Sequence, residues 1–250
     1  MTPIEFLKAW GSPWVLTAVA VDRKGIDTKT FTDEAKAQQF VDQYNGSRNI
    51  YFHVNPPMRE LNKKADREDI KEVAWLHVDI DPRAGEDLAE ERERARRLLM
   101  EDRPSAVPEP TCVVFSGGGY QGFWQLERPL PINGELAKAE DAKRYNQQLE
   151  VVFGADNCHN IDRIMRLPGT VNIPDAKKAR KGRERVTASV VHWADASYPI
   201  SEFTPAATVQ STTEGFGTQG TVEVPGNVQR LGSVDELEEW NVPDRTKVII

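Results

Sequence analysis

The segment 73–81 constrains the fold of this chain more than any other, because its residues are typical of a buried β-strand. It reads Val-Ala-Trp-Leu-His-Val-Asp-Ile-Asp and stops at Pro82, which has no N–H with which to continue a strand ladder. Periodicity and turn residues predict further elements on both sides of it. The predicted strands are 14–21, 26–31, 49–54, 111–116, 120–126 and 185–193, and the predicted helices are about 33–44, 86–102 and 135–153. This order predicts an α+β or mixed α/β chain with helices on one face of a largely antiparallel sheet.

The composition excludes several classes of protein. Of the 250 residues, 39% are hydrophobic and 28% are charged, so a packed core is feasible. No apolar run is long enough to span a membrane, and the first residues lack the basic start and apolar stretch of a secretory signal. Two cysteines, Cys112 and Cys158, can form neither a disulfide scaffold nor a four-cysteine zinc site. These features predict a cytoplasmic protein.

The character of the sequence changes at about residue 201. Residues 1–200 carry the predicted elements and form the predicted main domain. Residues 201–232 are rich in Thr, Gly, Ser and Pro, which is typical of a polar linker. Residues 233–250 predict the start of a downstream region, because they end on the strand-like run Lys-Val-Ile-Ile. We therefore expect the sequence to be cut from a longer protein.

Basic residues are concentrated in one stretch of an otherwise acidic chain. The formal net charge of −7 argues against a protein that coats nucleic acid by bulk attraction. Residues 163–185 nevertheless carry eight basic and two acidic side chains. Such a basic island is typical of a local polyanion site, although a solvated loop can have the same composition.

Two carboxylates stand at the end of the predicted strand 73–81. Side chains alternate across a strand, so Asp79 and Asp81 point to one face, roughly 6.5–7 Å apart along the backbone. Carboxylate oxygens are the ligands that Mg²⁺ prefers, and two of them at this spacing can converge on one ion. The alternative is an exposed, inert acidic strand end that enters a proline turn.

A glycine-rich run, Ser116-Gly117-Gly118-Gly119-Tyr120-Gln121, joins two predicted strands. Three glycines allow positive φ angles and let backbone N–H groups approach phosphate oxygens without a Cβ in the way. The run is not a Walker A loop, because no G-K-[ST] follows it and a strand comes next rather than a helix. The alternative is an ordinary tight hairpin.

A third motif begins at Asp162, at the start of the basic island. If this segment is helical, Asp162 and Arg166 lie on one face, with Arg163 beside them. The carboxylate could then bind a metal ion while the planar guanidinium groups bind phosphates. The alternative is a local salt bridge before the Pro168-Gly169 turn.

Taken in chain order, these motifs resemble those of the archaeo-eukaryotic primase (AEP) superfamily, and specifically the primase-polymerase domains of phages and plasmids. That family has an acidic D-x-D motif, a small-residue motif ending in His, and a lone Asp after an apolar residue. Here Asp79-Ile80-Asp81 matches the first and Ile161-Asp162 the third. The run 163–172 looks like the family signature R-x-x-R-x-P-G-T-x-N. The second motif departs from the pattern, because Gln121 stands where His is usual.

The resemblance implies an RRM-like antiparallel sheet fused to a second α+β unit, with the active site in the cleft between them. It implies a DNA primase or primase-polymerase, a template-dependent nucleotidyltransferase that makes or extends primers on single-stranded DNA in phage or plasmid replication. Asp79, Asp81 and Asp162 would be the catalytic residues and would hold two Mg²⁺ or Mn²⁺ ions. No zinc is expected, and a bacterial host cytoplasm is the expected location.

The resemblance also implies binding roles for the remaining motif residues. The substrate, an NTP or dNTP, would be bound by Ser116, Gly117, Gly118, Gly119, Gln121, Arg163 and Arg166. The template phosphates would be contacted by Lys177, Lys178, Arg180, Lys181 and Arg183. Relatives often carry a superfamily 3 helicase after this domain, which would lie beyond the linker. Two other functions could use the same residues, namely a metal-dependent nuclease and a non-catalytic origin-binding module that uses the basic island alone.

Overall fold

Two four-stranded antiparallel sheets organise the residues that the structure, a computed structural model, describes, namely 1–22 and 24–208. The helices are α1 (Pro3–Trp10), α2 (Glu34–Tyr44), α3 (Leu88–Met100), α4 (Leu136–Phe153) and α5 (Ala176–Arg180). The strands are β1 (Trp14–Val19), β2 (Ile26–Phe31), β3 (Asn49–His53), β4 (Glu72–Ile80), β5 (Cys112–Phe115), β6 (Tyr120–Pro131), β7 (Ile164–Arg166), β8 (Val171–Asn172), β9 (Val186–Thr187) and β10 (Ser189–Trp193). The strands β8 and β9 form a separate two-stranded ribbon.

The first sheet has the strand order β2-β1-β3-β7. Because side chains alternate along each strand, one face carries apolar residues such as Leu16 and Phe52, which pack against Phe6 of α1 and Phe40 of α2. The helix α2 begins where expected, because the Asp33 side chain accepts a hydrogen bond from the backbone N–H of Lys36. The helices therefore cover one face of this sheet.

The second sheet has the order β10-β5-β6-β4, with α3 and α4 packed against it. Leu76 and Val78 of β4 lie in one apolar cluster with Leu99 of α3, Leu149 of α4 and Trp124 of β6. This packing buries the apolar positions of β4. It leaves the acidic end of the strand beside the turn between β5 and β6.

Aromatic side chains join the two sheets. The Trp10 ring stacks on Trp75 of β4 with centroids 3.9 Å apart, and it contacts Phe52 of β3 and Phe123 of β6 edge-on. Its indole N–H donates to the carbonyl oxygen of Val54. Aromatic contacts of this kind bury a large apolar area, and the apolar cluster that they belong to includes residues of both sheets.

The predicted fold class, α+β with antiparallel sheets, is confirmed. The third motif is not helical, however, because residues 164–166 pair with β3 as strand β7. The predicted strand 185–193 is divided at Ala188, so that β9 pairs with β8 and β10 pairs with β5. The short helices α1 and α5 are additions to the predicted set. Helix α1 is stabilised by a capping box in which Thr2 and Glu5 bond to each other's backbone N–H.

The chain remains packed for several residues beyond the predicted domain boundary at 200. Phe203 is buried in the core, and Arg144 of α4 both donates to and accepts from the backbone of Ala206. The first compact unit ends at Thr208, and the rest of the predicted linker and the region 233–250 lie outside the described residues. Across the described ranges, we find no helix that is both long and apolar enough to cross a membrane.

Candidate active site

The acidic end of β4 forms the centre of the candidate site. Asp79 lies opposite Gln121 in the β4–β6 ladder, and Asp81 follows at the end of the strand. The Oδ1 atom of Asp79 is buried and has no hydrogen-bond partner among the described residues. Burial, followed by the charge of Asp81, raises the pKa of Asp79 to about 7, and the positive charge of Arg163 opposes this shift. A cation would relieve the repulsion between these carboxylates.

A third carboxylate at this strand end, Asp156, was missed by the sequence motifs. Its backbone N–H donates to the Asp79 carbonyl oxygen at 3.0 Å, and its Oδ2 accepts from the Asp81 backbone N–H at 2.9 Å. Helix α4 delivers it here, because the helix ends at Gly154 in the left-handed conformation. A signal was present in the sequence, since Ala155-Asp156 is also a lone Asp after an apolar residue.

The structure does not bring Asp162 to this strand end. Its Oδ2 lies 3.4 Å from Lys64 Nζ, its Oδ1 is buried without a partner in the described ranges, and it is not among the charges that shift the pKa of Asp79. Within residues 1–22 and 24–208, no three His, Cys, Asp or Glu side chains are arranged to hold a metal ion, so neither Asp162 nor Asp156 completes a three-ligand set with Asp79 and Asp81. The expected meeting of Asp79, Asp81 and Asp162 is therefore not observed.

The path of the chain between 156 and 162 explains this separation. The segment runs back along β4, as its hydrogen bonds show. The carbonyl of Cys158 bonds to His77, and the carbonyl of Ile161 accepts from Asn55. The Asn55 side chain also accepts from the backbone N–H groups of residues 74 and 75 in β4. Asp156 lies beside the acidic end of the strand, whereas Asp162 lies several residues further back. Strand β7 then returns towards the site, where Arg166 reaches Gln121.

The glycine run forms a tight loop beside Asp81. Gly118 and Gly119 both donate their backbone N–H to Ser116 Oγ, at 3.3 and 3.2 Å. In a loop of this kind, two successive backbone N–H groups can bind an anion. Here the Ser116 hydroxyl oxygen accepts from both groups and takes that position. A Cβ on Gly119 would lie only 2.0 Å from the Ile80 carbonyl oxygen, so the close approach to β4 requires glycine there.

Arg166 is buried and has several partners inside the protein. Its guanidinium donates to Asn49 Oδ1, Tyr51 Oη and Asn172 Oδ1 and lies over the Tyr51 ring. Its backbone N–H donates to Gln121 Oε1 at 3.3 Å. Two predicted nucleotide-binding residues, Gln121 and Arg166, are thus parts of the packing that joins β6 to β7.

The same contacts give the signature-like run 163–172 a structural basis. Gly169 has a φ of 80°, and a Cβ there would lie 2.5 Å from Pro3 Cδ, so only glycine fits the turn against α1. Thr170 closes the turn through a bond from its hydroxyl to the carbonyl of Leu167. Asn172 then accepts from Arg166. The run therefore fixes β7 and β8 relative to each other.

The basic side chains differ in where they lie. Arg163 is half-buried. Burial raises the pKa of both Asp79 and Asp156, and the positive charge of Arg163 opposes both shifts, as that of Lys178 does for Asp156. Arg183 donates to the carbonyl oxygen of Gly118 at 2.7 Å. The other predicted template residues are exposed on or next to α5, namely Lys177, Arg180 and Lys181.

Solved structures resemble this chain in fold rather than closely in sequence. No protein-family model matches the sequence, and no curated protein matches it. Among solved structures, the AEP domain of the primase-polymerase (PrimPol) of cyanophage S-2L matches with a TM-score of 0.51 and 18% identity, over 76% of this chain and 86% of that one. Primase RepB′ matches with a TM-score of 0.49 and 14% identity, over 78% of this chain and 56% of its own. The RepB′ catalytic domain in complex with initiator DNA matches with a TM-score of 0.49 and 14% identity, over 79% of this chain and 87% of that one. The first of these matches, with a TM-score above 0.5, shows that the chain shares the fold of that AEP domain.

Proposed function

We propose that this protein is a template-dependent nucleotidyltransferase of the primase or primase-polymerase type, which makes or extends primers on single-stranded DNA. The observation that carries the proposal is the juxtaposition of Asp79, Asp81 and Asp156 with the glycine loop and Arg163 on an AEP fold. Carboxylates on one side and phosphate-binding groups on the other are what nucleotidyl transfer needs.

The donor set fits a hard divalent cation, as the unpartnered Oδ1 of Asp79 next to Asp81 indicates. Asp79 and Asp81 would hold Mg²⁺ or Mn²⁺, which when bound would lower the pKa of the attacking hydroxyl and neutralise phosphate charge. Asp156 would position Asp81 by accepting from its backbone N–H. Arg163 orients a triphosphate by its positive charge. The N–H groups of Gly118 and Gly119 can transfer from Ser116 Oγ to a phosphate oxygen.

Primer synthesis provides the direct test. The chain is incubated with an unprimed single-stranded template, labelled NTPs or dNTPs and Mg²⁺ or Mn²⁺, and the products are resolved by length. New short oligomers indicate a primase, and products that need an added oligonucleotide indicate a polymerase. Shortening of the template without nucleotide incorporation would instead identify a nuclease and contradict the proposal.

A comparison of Asp156 with Asp162 tests which acid belongs to the site. We expect Asp156→Asn to lower primer synthesis about 100-fold, because it removes the negative charge of the carboxylate that accepts from the Asp81 backbone N–H. We expect Asp162→Asn to retain at least a third of the activity, since its nearest charged partner is Lys64. Steady-state rates of both variants are the measurement. The reverse order of losses would restore the assignment made from the sequence motif.

A further inference from the structure

Two arginines converge on the outer side of the glycine loop. Arg92 of α3 donates its Nη2 to the carbonyl of Gly117 at 2.9 Å and its Nε to that of Gly118 at 3.3 Å. Arg183, from the segment after α5, donates its Nη1 to the same Gly118 oxygen at 2.7 Å. One backbone carbonyl therefore holds guanidinium groups from two distant parts of the chain.

This arrangement brings like charges together without a paired acid. In the described part of the chain, neither Arg92 nor Arg183 has a carboxylate oxygen within ion-pair distance, although most arginines of α3 do. Burial and then the charge of Arg183 lower the pKa of Arg92, and the nearby Glu184 offsets this only in part. A bound anion would remove the repulsion, and a guanidinium pair suits phosphate oxygens best.

The arginine pair also adjoins the acidic end of β4. Both Asp81 Oδ1 and Arg183 Nη1 lie 3.2 Å from the position that a Cβ would take on Gly118. Gly118 therefore lies beside both the carboxylate and the guanidinium, and it has no side chain to separate them. A polyanion lying across Gly118 would thus meet a cation on Asp81 at one end and the arginines at the other.

We propose that Arg92 and Arg183 bind the polyphosphate of the nucleotide substrate. Only the identity of this ligand rests on the proposed function; the anion site itself does not. This gives Arg183 a different role from the exposed basic residues around α5. The sequence motifs group all of them as contacts to the template. Arg92 lies outside all of those motifs.

Binding of inorganic tripolyphosphate, measured by calorimetry, tests the site without catalysis or base recognition. We expect Arg92→Gln and Arg183→Gln each to weaken binding about 10-fold, as expected for loss of one charge-assisted contact. Arg97→Gln is the matched control, because it removes the same charge from the same helix at a residue paired with Asp102. It should bind tripolyphosphate like the parent. Binding of single-stranded DNA, followed by fluorescence anisotropy, should change less than two-fold in the two site variants.

Arg92→Lys and Arg183→Lys distinguish direct binding from support of the loop. A lysine keeps the positive charge but lacks the planar guanidinium with which Arg92 spans the Gly117 and Gly118 carbonyls and Arg183 donates to that of Gly118. If the pair binds phosphate, the lysine variants should recover much of the lost affinity. Equal losses with Lys and Gln would overturn the proposal, as would equal losses of DNA and tripolyphosphate affinity. Absence of primer synthesis in the parent, with the tripolyphosphate result intact, would overturn the proposed function alone.

Discussion

Asp79→Asn should abolish primer synthesis, with a loss of at least about 1,000-fold in rate. The substitution keeps the shape of the side chain but removes the charge at the centre of the acidic cluster, next to Asp81 and opposite Gln121. Primer extension under Mg²⁺ and Mn²⁺ measures the effect. Activity above a tenth of the parent value would show that Asp79 binds no essential cation.

Folding of the Asp79→Asn variant separates a chemical effect from a structural one. Burial and Asp81 raise the pKa of Asp79 above its value in the unfolded chain, so its ionisation lowers folded stability as the pH rises from about 4 towards 7. Asparagine does not ionise, and we therefore expect the variant to melt no lower than the parent at pH 8 without divalent ions. Asp141→Asn, at an exposed carboxylate on α4, is the matched control and should leave synthesis unchanged.

The D-x-D motif and the glycine loop could be located from sequence, because their arrangement depends on local geometry. Residues at i and i+2 of a strand share a face whatever the rest of the fold does. The run 117–119 had to turn tightly between two strands, and β4 and β6 are neighbours in the sheet, which places the loop beside Asp81. The α+β class followed from the same periodicities.

The third acid could not be located in this way. Both Asp156 and Asp162 follow an apolar residue, and the choice between them depends on the path of an irregular segment. That path is set by contacts across the chain, with His77 and Asn55 holding the segment against β4. The spacing of residues along the sequence does not predict such long-range contacts. For the same reason the segment around Arg166 was open to a helical interpretation, although pairing with β3 makes it a strand.

Asn146 is the residue on which this irregular segment most depends. It lies on α4 with no exposed surface, and its Oδ1 accepts from the His77 backbone N–H at 3.0 Å. Its Nδ2 donates to the His159 carbonyl at 3.2 Å and faces His77 Nδ1 at 3.3 Å. Because His77 Nε2 bonds to the Cys158 carbonyl, which can only accept, Nδ1 is the acceptor for Asn146. One amide therefore joins α4, β4 and the segment that carries Asp156.

Asn146→Ala should consequently destabilise the protein by about 3–5 kcal/mol, because it leaves the backbone N–H and Nδ1 of His77 and the His159 carbonyl buried without this partner. The free energy of unfolding is measured by chemical denaturation, and the m-value should stay unchanged. Gln147→Ala, at the next and more exposed position of α4, should change stability by less than about 0.5 kcal/mol. A loss below about 1 kcal/mol for Asn146→Ala would mean that other contacts hold the segment. Such a result would also weaken the structural basis for placing Asp156, rather than Asp162, beside the acidic end of β4.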